Sequence, residues 1–339
     1  MERGRLKQAR QAAESAVHLS RRDPRAAAEA HLALGVVHEA AASYDAAERC
    51  YRRALMLLEG LPDSVRPASR HAEALARVGA ICRILGRLRE AKALLRRALS
   101  LSEQVADQAR YDLGARVNEL ALLCKCTGEL DQARRLNARA RELLESVLGP
   151  THVDIATLHH NLGGIEHELG RYKEAEKPAR RAVAIRISAL GPHDPAVAAD
   201  QVALAAILAE RHKYGEAERL YRSALRVFRR AFGPAHYEVA ATLDSLAALE
   251  YDRARYREAE RHYREALALK ERLLGPEHAE VALTLNNLAL LLAATGRVDQ
   301  AHALCHEALR LFERGLGKSH PRTLACRTNA RDLAALVVR

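Results

Sequence analysis

The stretch LGPEHAEVALTLNNLALLLAATGRVDQAHALCHEALRLFERG, from Leu274 to Gly315, decides the fold of this chain. Apolar residues recur in it at helical spacing over 281–292 and again over 298–308. Gly296 separates the two runs, and a Gly-Pro pair at 275–276 precedes the first run. The glycine of that pair supplies a left-handed cap and the proline a stop, because glycine tolerates a positive φ and proline cannot continue a helix. The stretch therefore predicts two helices joined by a short turn.

This pattern repeats along the chain in steps of 42 residues. The linker that begins at Leu274 has counterparts at Leu148, Leu190, Phe232 and Leu316. Two alanines seven residues apart keep the same register. These alanine pairs are Ala47/Ala54, Ala91/Ala98, Ala133/Ala140, Ala175/Ala182, Ala217/Ala224, Ala259/Ala266 and Ala301/Ala308, with 44 residues between the first two pairs. Since one hairpin of about 40 residues cannot bury its apolar face alone, the copies must stack on one another.

The register divides the chain into seven helical hairpins between two half-repeats. The N-terminal half-repeat or capping helix takes residues 1–22, and its C-terminal counterpart takes residues 316–339. The hairpins lie at about 23–61, 62–105, 106–147, 148–189, 190–231, 232–273 and 274–315. The two half-repeats are either caps with a more polar outer face or the ends of a longer array. A chain that begins with Met1 favours caps.

Composition agrees with packed helices and excludes several other classes of protein. The 339 residues are 49% hydrophobic and only 4% aromatic, which suits closely packed helices better than a β-sheet protein. The length exceeds the roughly 250–300 residues that one core fills, so a single solenoid explains it better than one globular domain. No apolar stretch is long enough for a transmembrane helix, and the first residues lack the apolar core of a secretory signal. Six cysteines without a CxxC pair indicate a reducing compartment, so we predict a cytoplasmic protein.

Several segments resemble the tetratricopeptide repeat family, in the 42-residue form of kinesin light chains. The segment HAEVALTLNNLAL at 278–290, followed by GRVDQA at 296–301, carries the resemblance most fully. Second helices match in RYREAERHYREAL at 255–267 and KYGEAERLYRSAL at 213–225. The resemblance covers about residues 23–339. It implies an all-α fold, a right-handed superhelical α-solenoid of stacked antiparallel helix pairs, and a role in binding other proteins.

Three features depart from the family pattern. Leu61-Pro-Asp replaces the first Leu-Gly-Pro linker, and the segment Asp107-Gln-Ala-Arg lacks the linker altogether. Pro178 falls within a predicted second helix. Either it lies near the start of that helix, where a missing N–H costs little, or it kinks the helix.

Catalytic and metal-binding motifs are missing from the sequence. There is no P-loop, no dinucleotide-binding glycine motif, no HExxH and no GxSxG. His302, Cys305 and His306 share one helix face, but Cys305 occupies an apolar column and no further ligands are evident. One histidine per repeat recurs in the linkers, too far from the next to share a metal ion, at His152, His236, His278 and His320. We therefore predict no enzyme, no cofactor and no metal site.

The net charge of +11 raises the alternative of a nucleic-acid partner. Arginine pairs at 52–53, 96–97 and 180–181 directly precede the second alanine of each pair, on the outer face of second helices. Glutamates such as Glu176 and Glu218 interleave with them, as on an ordinary solvated outer wall. An aromatic-rich basic groove for stacking bases is not visible. Nucleic acid is therefore disfavoured, and so is a membrane surface, because the basic residues are spread through the array.

A polar stripe on the first helices is the predicted binding surface, because this column lines the concave face of a solenoid. In the fourth hairpin the stripe includes Thr157, His160, Asn161, Gly164 and His167. Steps of 42 residues extend it to Arg77, Arg83, Asn118, Lys125, Asn286, Asn287 and Asn329.

In tetratricopeptide domains that hold peptides, asparagines and basic residues of this face grip the ligand's backbone and carboxylates. By this resemblance Asn161, Asn287 and Asn329 occupy the column of the clamping asparagine. The arginines, lysine and histidines of the stripe make its N-terminal half basic. The C-terminal half carries the acidic residues Asp244, Asp252 and Glu210. We expect hairpins two to four to receive an acidic or carboxylate-ended peptide; the alternative is that these are ordinary solvated side chains.

The predicted function is a non-enzymatic scaffold or adaptor that binds a partner protein or peptide in this groove. One alternative is the sensor or regulatory arm of a signalling NTPase or kinase system. A second alternative is a nucleic-acid-associated regulator that uses the basic surface. The sequence leaves the partner and the oligomeric state open.

Overall fold

The computed structural model describes residues 2–104 and 110–337. Within these residues it contains α-helices joined by short turns and no β-strand. The first helices of the pairs are α2 (Pro24–Ala40), α4 (Ala68–Ile84), α6 (Arg110–Cys126), α8 (Val153–Glu168), α10 (Pro195–Glu210), α12 (Tyr237–Asp252), α14 (Ala279–Ala294) and α16 (Pro321–Val337). The second helices are α1 (Glu2–Leu19), α3 (Tyr44–Glu59), α5 (Leu88–Glu103), α7 (Leu130–Leu148), α9 (Tyr172–Leu190), α11 (Tyr214–Phe232), α13 (Tyr256–Leu274) and α15 (Val298–Gly315).

The chain divides into two compact units, Met1–Leu169 with α1 to α8 and Gly170–Arg339 with α9 to α16. Within each unit every helix packs against the helix that follows it, and first helices also contact the first helices of adjacent pairs. The predicted all-α solenoid of stacked helix pairs is thereby confirmed. The predicted hairpin boundary at 105–106 and the atypical linker at 107–109 lie outside the described residues.

The paired alanines lie at the centre of the helix contacts. All fourteen alanines of the seven pairs from Ala47/Ala54 to Ala301/Ala308 are 0–1% exposed. A methyl group lets two helices approach closely, and its burial costs no side-chain entropy. Ala9 and Ala16 of α1 have the same spacing but are exposed. The alanine column therefore lies where neighbouring helices approach each other closely within each unit.

The glycine that ends each long second helix is not in the left-handed helical conformation. Gly191 has φ 84° and ψ 159°, and Gly149, Gly233 and Gly275 are similar. The prediction of a positive φ is confirmed, but the predicted left-handed cap is wrong, since that conformation has ψ near +47°. The observed region is essentially restricted to glycine. This explains why the linker needs glycine there rather than asparagine.

A second positive-φ position lies between the first and second helix of each pair. Glycine fills it four times, but Ala42, His212 and Ala254 fill it with φ of 54–56°. A side chain with a Cβ pays a steric cost of roughly 1–2 kcal/mol in the left-handed region. These three turns are therefore locally strained.

The linker histidines are helix N-caps. His152, His236 and His278 each accept a hydrogen bond through Nδ1 from the backbone N–H two residues later, at 3.1–3.2 Å. His320 makes the same contact to Arg322. Each histidine satisfies one of the N–H groups that a helix start leaves without a partner. Capping explains why histidine recurs once per repeat.

Pro178 lies inside α9 and not near its start. It is the seventh residue of the helix and is buried, and the helix continues to Leu190. The prediction of a position near the helix start is therefore wrong. Because proline has no N–H, the carbonyl of Glu174 lacks its usual helical partner.

Ion pairs join successive second-helix regions within each unit. In the N-terminal unit Arg87 pairs with Glu48 of the preceding repeat at 2.5 Å. Lys92 pairs with Glu129 of the following repeat, so here the cation belongs to the earlier repeat. The C-terminal unit repeats the contact in three pairs, Lys213 with Glu176, Arg255 with Glu218 and Arg297 with Glu260, at 2.6–2.9 Å. The side chains of these three glutamates are only 11–20% exposed, so they are less solvated than the outer wall that the sequence suggested.

The outer face of α16 is polar. Arg327 and Arg331 occupy the columns of Leu285 and Ala289, which are buried in α14. Arg331 is exposed, and Arg327 bonds Glu313 at 2.6 Å. A polar outer face is what a capping repeat requires. A capping role for α16 stays a prediction.

We predict that the ion pair of Glu260 contributes stability that acid removes. The hydrogen bond from Arg297 lowers the pKa of Glu260 to about 2. A carboxyl group whose pKa is lower in the folded state stabilises the fold above its ordinary pKa and loses that contribution as the pH falls toward the folded value. The melting temperature of Glu260→Gln should therefore lie below that of the wild type at about pH 6, and the gap should close toward about pH 2. Glu258→Gln, on the exposed face of the same helix, is the control and should show a small, flat difference.

We predict that Ala254→Gly stabilises the protein. Ala254 is exposed with φ 56°, so glycine relieves strain of about 1 kcal/mol without loss of a packed side chain. Ala303→Gly, at an exposed position inside α15, should instead destabilise by about 1 kcal/mol. Urea unfolding of both variants measures the difference, and an equal effect of the two substitutions would refute the strained turn.

Candidate functional site

A concave pocket of about 590 Å³ lies among α4, α6 and α8 in the N-terminal unit. These are consecutive first helices, so the pocket lies on the face that the sequence marked as the groove. The charged lining residues are Glu39, Glu73, Asp112, Glu119 and Asp154, together with Arg70, Arg77 and Arg116. Carboxylates therefore outnumber guanidinium groups by five to three.

Three basic residues predicted to grip a ligand are each paired with a carboxylate. The pairs are Arg77 with Glu39 at 3.5 Å, Arg83 with Glu119 at 3.6 Å and Lys125 with Glu168 at 3.3 Å. Arg77 also lies over the ring of Tyr51, 6.0 Å from its centroid. These side chains are therefore not a free basic cluster, and the expectation of a basic N-terminal half does not describe the pocket.

The predicted asparagines bond to one another between neighbouring first helices. Nδ2 of Asn161 donates to Oδ1 of Asn118 at 3.1 Å, and Nδ2 of Asn329 donates to Oδ1 of Asn286 at 3.0 Å. Each bond spans 43 residues, one repeat plus one position. Asn287 lies half-buried on α14. The asparagine column therefore joins adjacent repeats. A ligand would bind to the amide N–H and C=O groups that these hydrogen bonds leave unused.

His160 and His167 lie half-buried on α8, and both contact neighbouring groups. Lys125 crosses the same helix at Gly164. A Cβ added there would lie 2.7 Å from the lysine Nζ, so the missing side chain makes room for the ammonium group. Gly164 of the predicted stripe thus positions Lys125 beside Glu168.

Arg116 is the pocket residue that the sequence analysis missed. Its Nε is buried and has no hydrogen-bond partner among the described residues. Burial lowers the pKa of this guanidinium, while Asp112 and Glu73 oppose that shift without bonding to it. The register carries part of this signal, because the same column holds small or apolar residues in Ala74, Leu158, Thr242 and Thr284. Arg116 and Asp200 are the two charged residues in this column.

Asp244 does not form part of an acidic groove. It is 8% exposed and accepts a hydrogen bond from Nζ of Lys270 at 3.1 Å. Lys270 also donates to the hydroxyl of Thr284 at 2.9 Å, and it is 1% exposed. Burial raises the pKa of Asp244, while the lysine opposes the rise. The expectation that Asp244 makes the C-terminal half of the groove acidic is therefore wrong, since the buried ammonium group of Lys270 pairs with it.

A smaller pocket of about 340 Å³ lies among α12, α14 and α16 in the C-terminal unit. Its lining combines apolar Leu290 and Leu333 with Tyr251, Asn329 and Asp332. Asp252 and Glu210 lie close enough to interact, since Glu210 and burial raise the pKa of Asp252. The face of the first helices is thus concave in this unit as well.

Among the residues that the structure describes, no group of three histidine, cysteine or acidic residues could hold a metal ion. The rings of His302 and His306 lie edge to face at 4.4 Å, and Cys305 is fully buried. None of the described helices is long and apolar enough to cross a membrane.

Family comparisons match most of the chain. Models of the tetratricopeptide repeat match residues 1–64, 72–105, 111–188, 197–272, 245–304 and 280–330. No curated protein sequence matches the chain. The matched ranges cover both compact units.

Solved structures share the fold at low sequence identity. Tetratricopeptide-like repeats of a proposed kinesin light chain from Podosopora anserina are 20% identical, with 61% of this chain and 98% of that chain covered and a TM-score of 0.51. The apo quorum sensor NprR from B. thuringiensis is 15% identical over 91% of this chain and 80% of that chain, with a TM-score of 0.63. A signal transduction ATPase with a tetratricopeptide repeat sensor from Pyrococcus horikoshii is 18% identical over 91% of this chain and 44% of that chain, with a TM-score of 0.65. From the matching repeat models and the stacked helix pairs, the chain belongs to the tetratricopeptide repeat family, with repeats similar to those of kinesin light chains.

Proposed function

We propose that this protein is an interaction scaffold whose N-terminal unit binds an extended peptide segment in the pocket among α4, α6 and α8. Tetratricopeptide repeats support a role in binding other proteins. A structure of NprR with its cognate peptide NprX has the same fold, with a TM-score of 0.63. The observation that carries the proposal is the half-buried Arg116 in the wall of the pocket, whose Nε has no hydrogen-bond partner among the described residues.

Arg116 determines which chemical group the peptide needs. A buried guanidinium N–H without an acceptor destabilises the free protein. A bound carboxylate would accept from it, and such a charge-assisted hydrogen bond contributes about 1.5–3 kcal/mol. We propose that a side-chain or C-terminal carboxylate of the peptide accepts from Arg116. The amides of Asn118 and Asn161 lie on the same helix faces and can bond the peptide backbone.

The surrounding carboxylates restrict the rest of the peptide. The pocket wall carries five carboxylates against three guanidinium groups, so a uniformly acidic segment is repelled. Basic side chains on either side of the anchoring carboxylate match this potential. The proposed ligand is therefore a mixed-charge segment with one anchoring carboxylate. Of the acidic or carboxylate-ended peptides that the sequence suggested, this proposal keeps only the second kind.

We predict that Arg116→Leu weakens peptide binding without loss of stability. Leucine is the residue of the same column in α8, so it fits the helix packing, and it removes a half-buried guanidinium whose Nε has no hydrogen-bond partner among the described residues. Peptides selected on the wild type from a phage-displayed random library should bind the variant about tenfold to 100-fold more weakly, and the melting temperature should be unchanged or higher.

The matched control is Arg96→Leu, which removes the same charge from an exposed position on α5. It should leave the affinity of the selected peptides unchanged. Equal binding of these peptides to Arg116→Leu and the wild type would refute the anchoring role of Arg116. A library that yields no binder on the wild type would count against a peptide site altogether.

A further inference from the structure

Two cysteines face each other across the last helix contact of the C-terminal unit. Cys305 lies on α15 and Cys326 on α16, with side chains 0% and 1% exposed. Sγ of each cysteine lies 3.7 Å from the backbone carbonyl oxygen of the other. The contact is reciprocal, so the two sulfur atoms lie between the same two backbones.

The repeat register shows that this is a defined contact position. In the N-terminal unit the equivalent residues are Asn137 and Leu158, and Nδ2 of Asn137 donates to the Leu158 carbonyl at 3.1 Å. The same columns hold Tyr221 with Thr242 in the C-terminal unit. Cysteine fills both columns only where the seventh hairpin meets the C-terminal half-repeat. A side chain at the first of these positions reaches the backbone of the second position in both units.

We propose that Cys305 and Cys326 are an oxidisable pair that closes to a disulfide in the presence of a peroxide and so fixes α16 to α15 covalently. In the first step a sulfur of Cys305 attacks a peroxide oxygen, the O–O bond breaks, and a sulfenic acid and one water form. In the second step the Cys326 sulfur attacks the sulfenic sulfur and displaces a second water. The two thiols lose two electrons and two protons, and hydrogen peroxide takes them up as it becomes two molecules of water.

The interaction between the two thiols favours Cys305 for the first step. It lowers the pKa of Cys305 and raises the pKa of Cys326. A thiolate is the nucleophile in this chemistry, so Cys305 reacts first and Cys326 resolves the intermediate. Because both sulfurs are buried, oxidation requires α16 to open, which makes the reaction slow in the docked state.

The disulfide would hold one wall of the smaller pocket. α16 contributes Asn329, Asp332 and Leu333 to that pocket, and Asn329 bonds Asn286 on α14. A bond between α15 and α16 closes a loop of about twenty residues and removes unfolded-state entropy for this segment. Oxidation would therefore keep the pocket formed while the thiol form allows α16 to open.

The test uses the purified full chain, first reduced and then treated with hydrogen peroxide. A tryptic digest under non-reducing conditions should contain residues 298–310 linked to residues 323–327, the two peptides that carry Cys305 and Cys326. Dithiothreitol should separate them. Hydrogen exchange of the α16 backbone should slow by about tenfold or more in the oxidised protein.

Matched variants identify the pair. Cys305→Ser and Cys305→Ala should both lose the linked peptide, whereas Cys126→Ser, which removes the exposed cysteine, should retain it. Recovery of both cysteines as free thiols after peroxide would overturn the proposal. So would a sulfinic acid at Cys305 without the link, or a disulfide of either residue to another cysteine.

Discussion

The alanine pair of each repeat is the contact on which the rest of the structure depends. Fourteen alanines in seven pairs are almost completely inaccessible to solvent, so their methyl groups lie where the helices approach each other. This close approach fixes the register of one helix on the next within each unit. It thereby decides which column of each first helix is buried and which lines the concave face. The pocket among α4, α6 and α8 exists because three first helices present the same column in the same register.

The register was readable from the sequence, because it depends on spacing alone. The 42-residue step, the alanine column and the helix pairs all follow from periodicity, and the structure has them as predicted. The conformation of the linker glycine was not readable in the same way. Its positive φ follows from the residue type, but its extended ψ depends on how the chain enters the next helix.

The chemistry of the groove was harder to predict, because it depends on which side chains meet between repeats. Arg77, Arg83 and Lys125 are basic in the sequence, yet each meets a carboxylate from a neighbouring first helix. Asp244 has the same column as Asn118 and Asn286, yet Lys270 reaches it from the core side. Such pairs join residues 26 to 43 positions apart, so a reading of one repeat at a time does not reveal them.

Arg116 and the ion pairs between repeats show two opposite uses of charge. The outer glutamates are held by cations of the next repeat and stabilise the stack. The Nε of Arg116 has no hydrogen-bond partner among the described residues, so we expect leucine at this position to be at least as stable. Functional sites are where local rules for stability are broken. This is why we propose that Arg116 contacts a bound peptide.

Hydrogen exchange of the peptide complex shows directly whether a peptide binds in the pocket among α4, α6 and α8. The measurement compares the free protein with its complex with a peptide selected on the wild type. We expect slower exchange in α4, α6 and α8, with the second helices α5 and α7 much less affected. Protection confined to the second helices, or to the C-terminal unit, would contradict it.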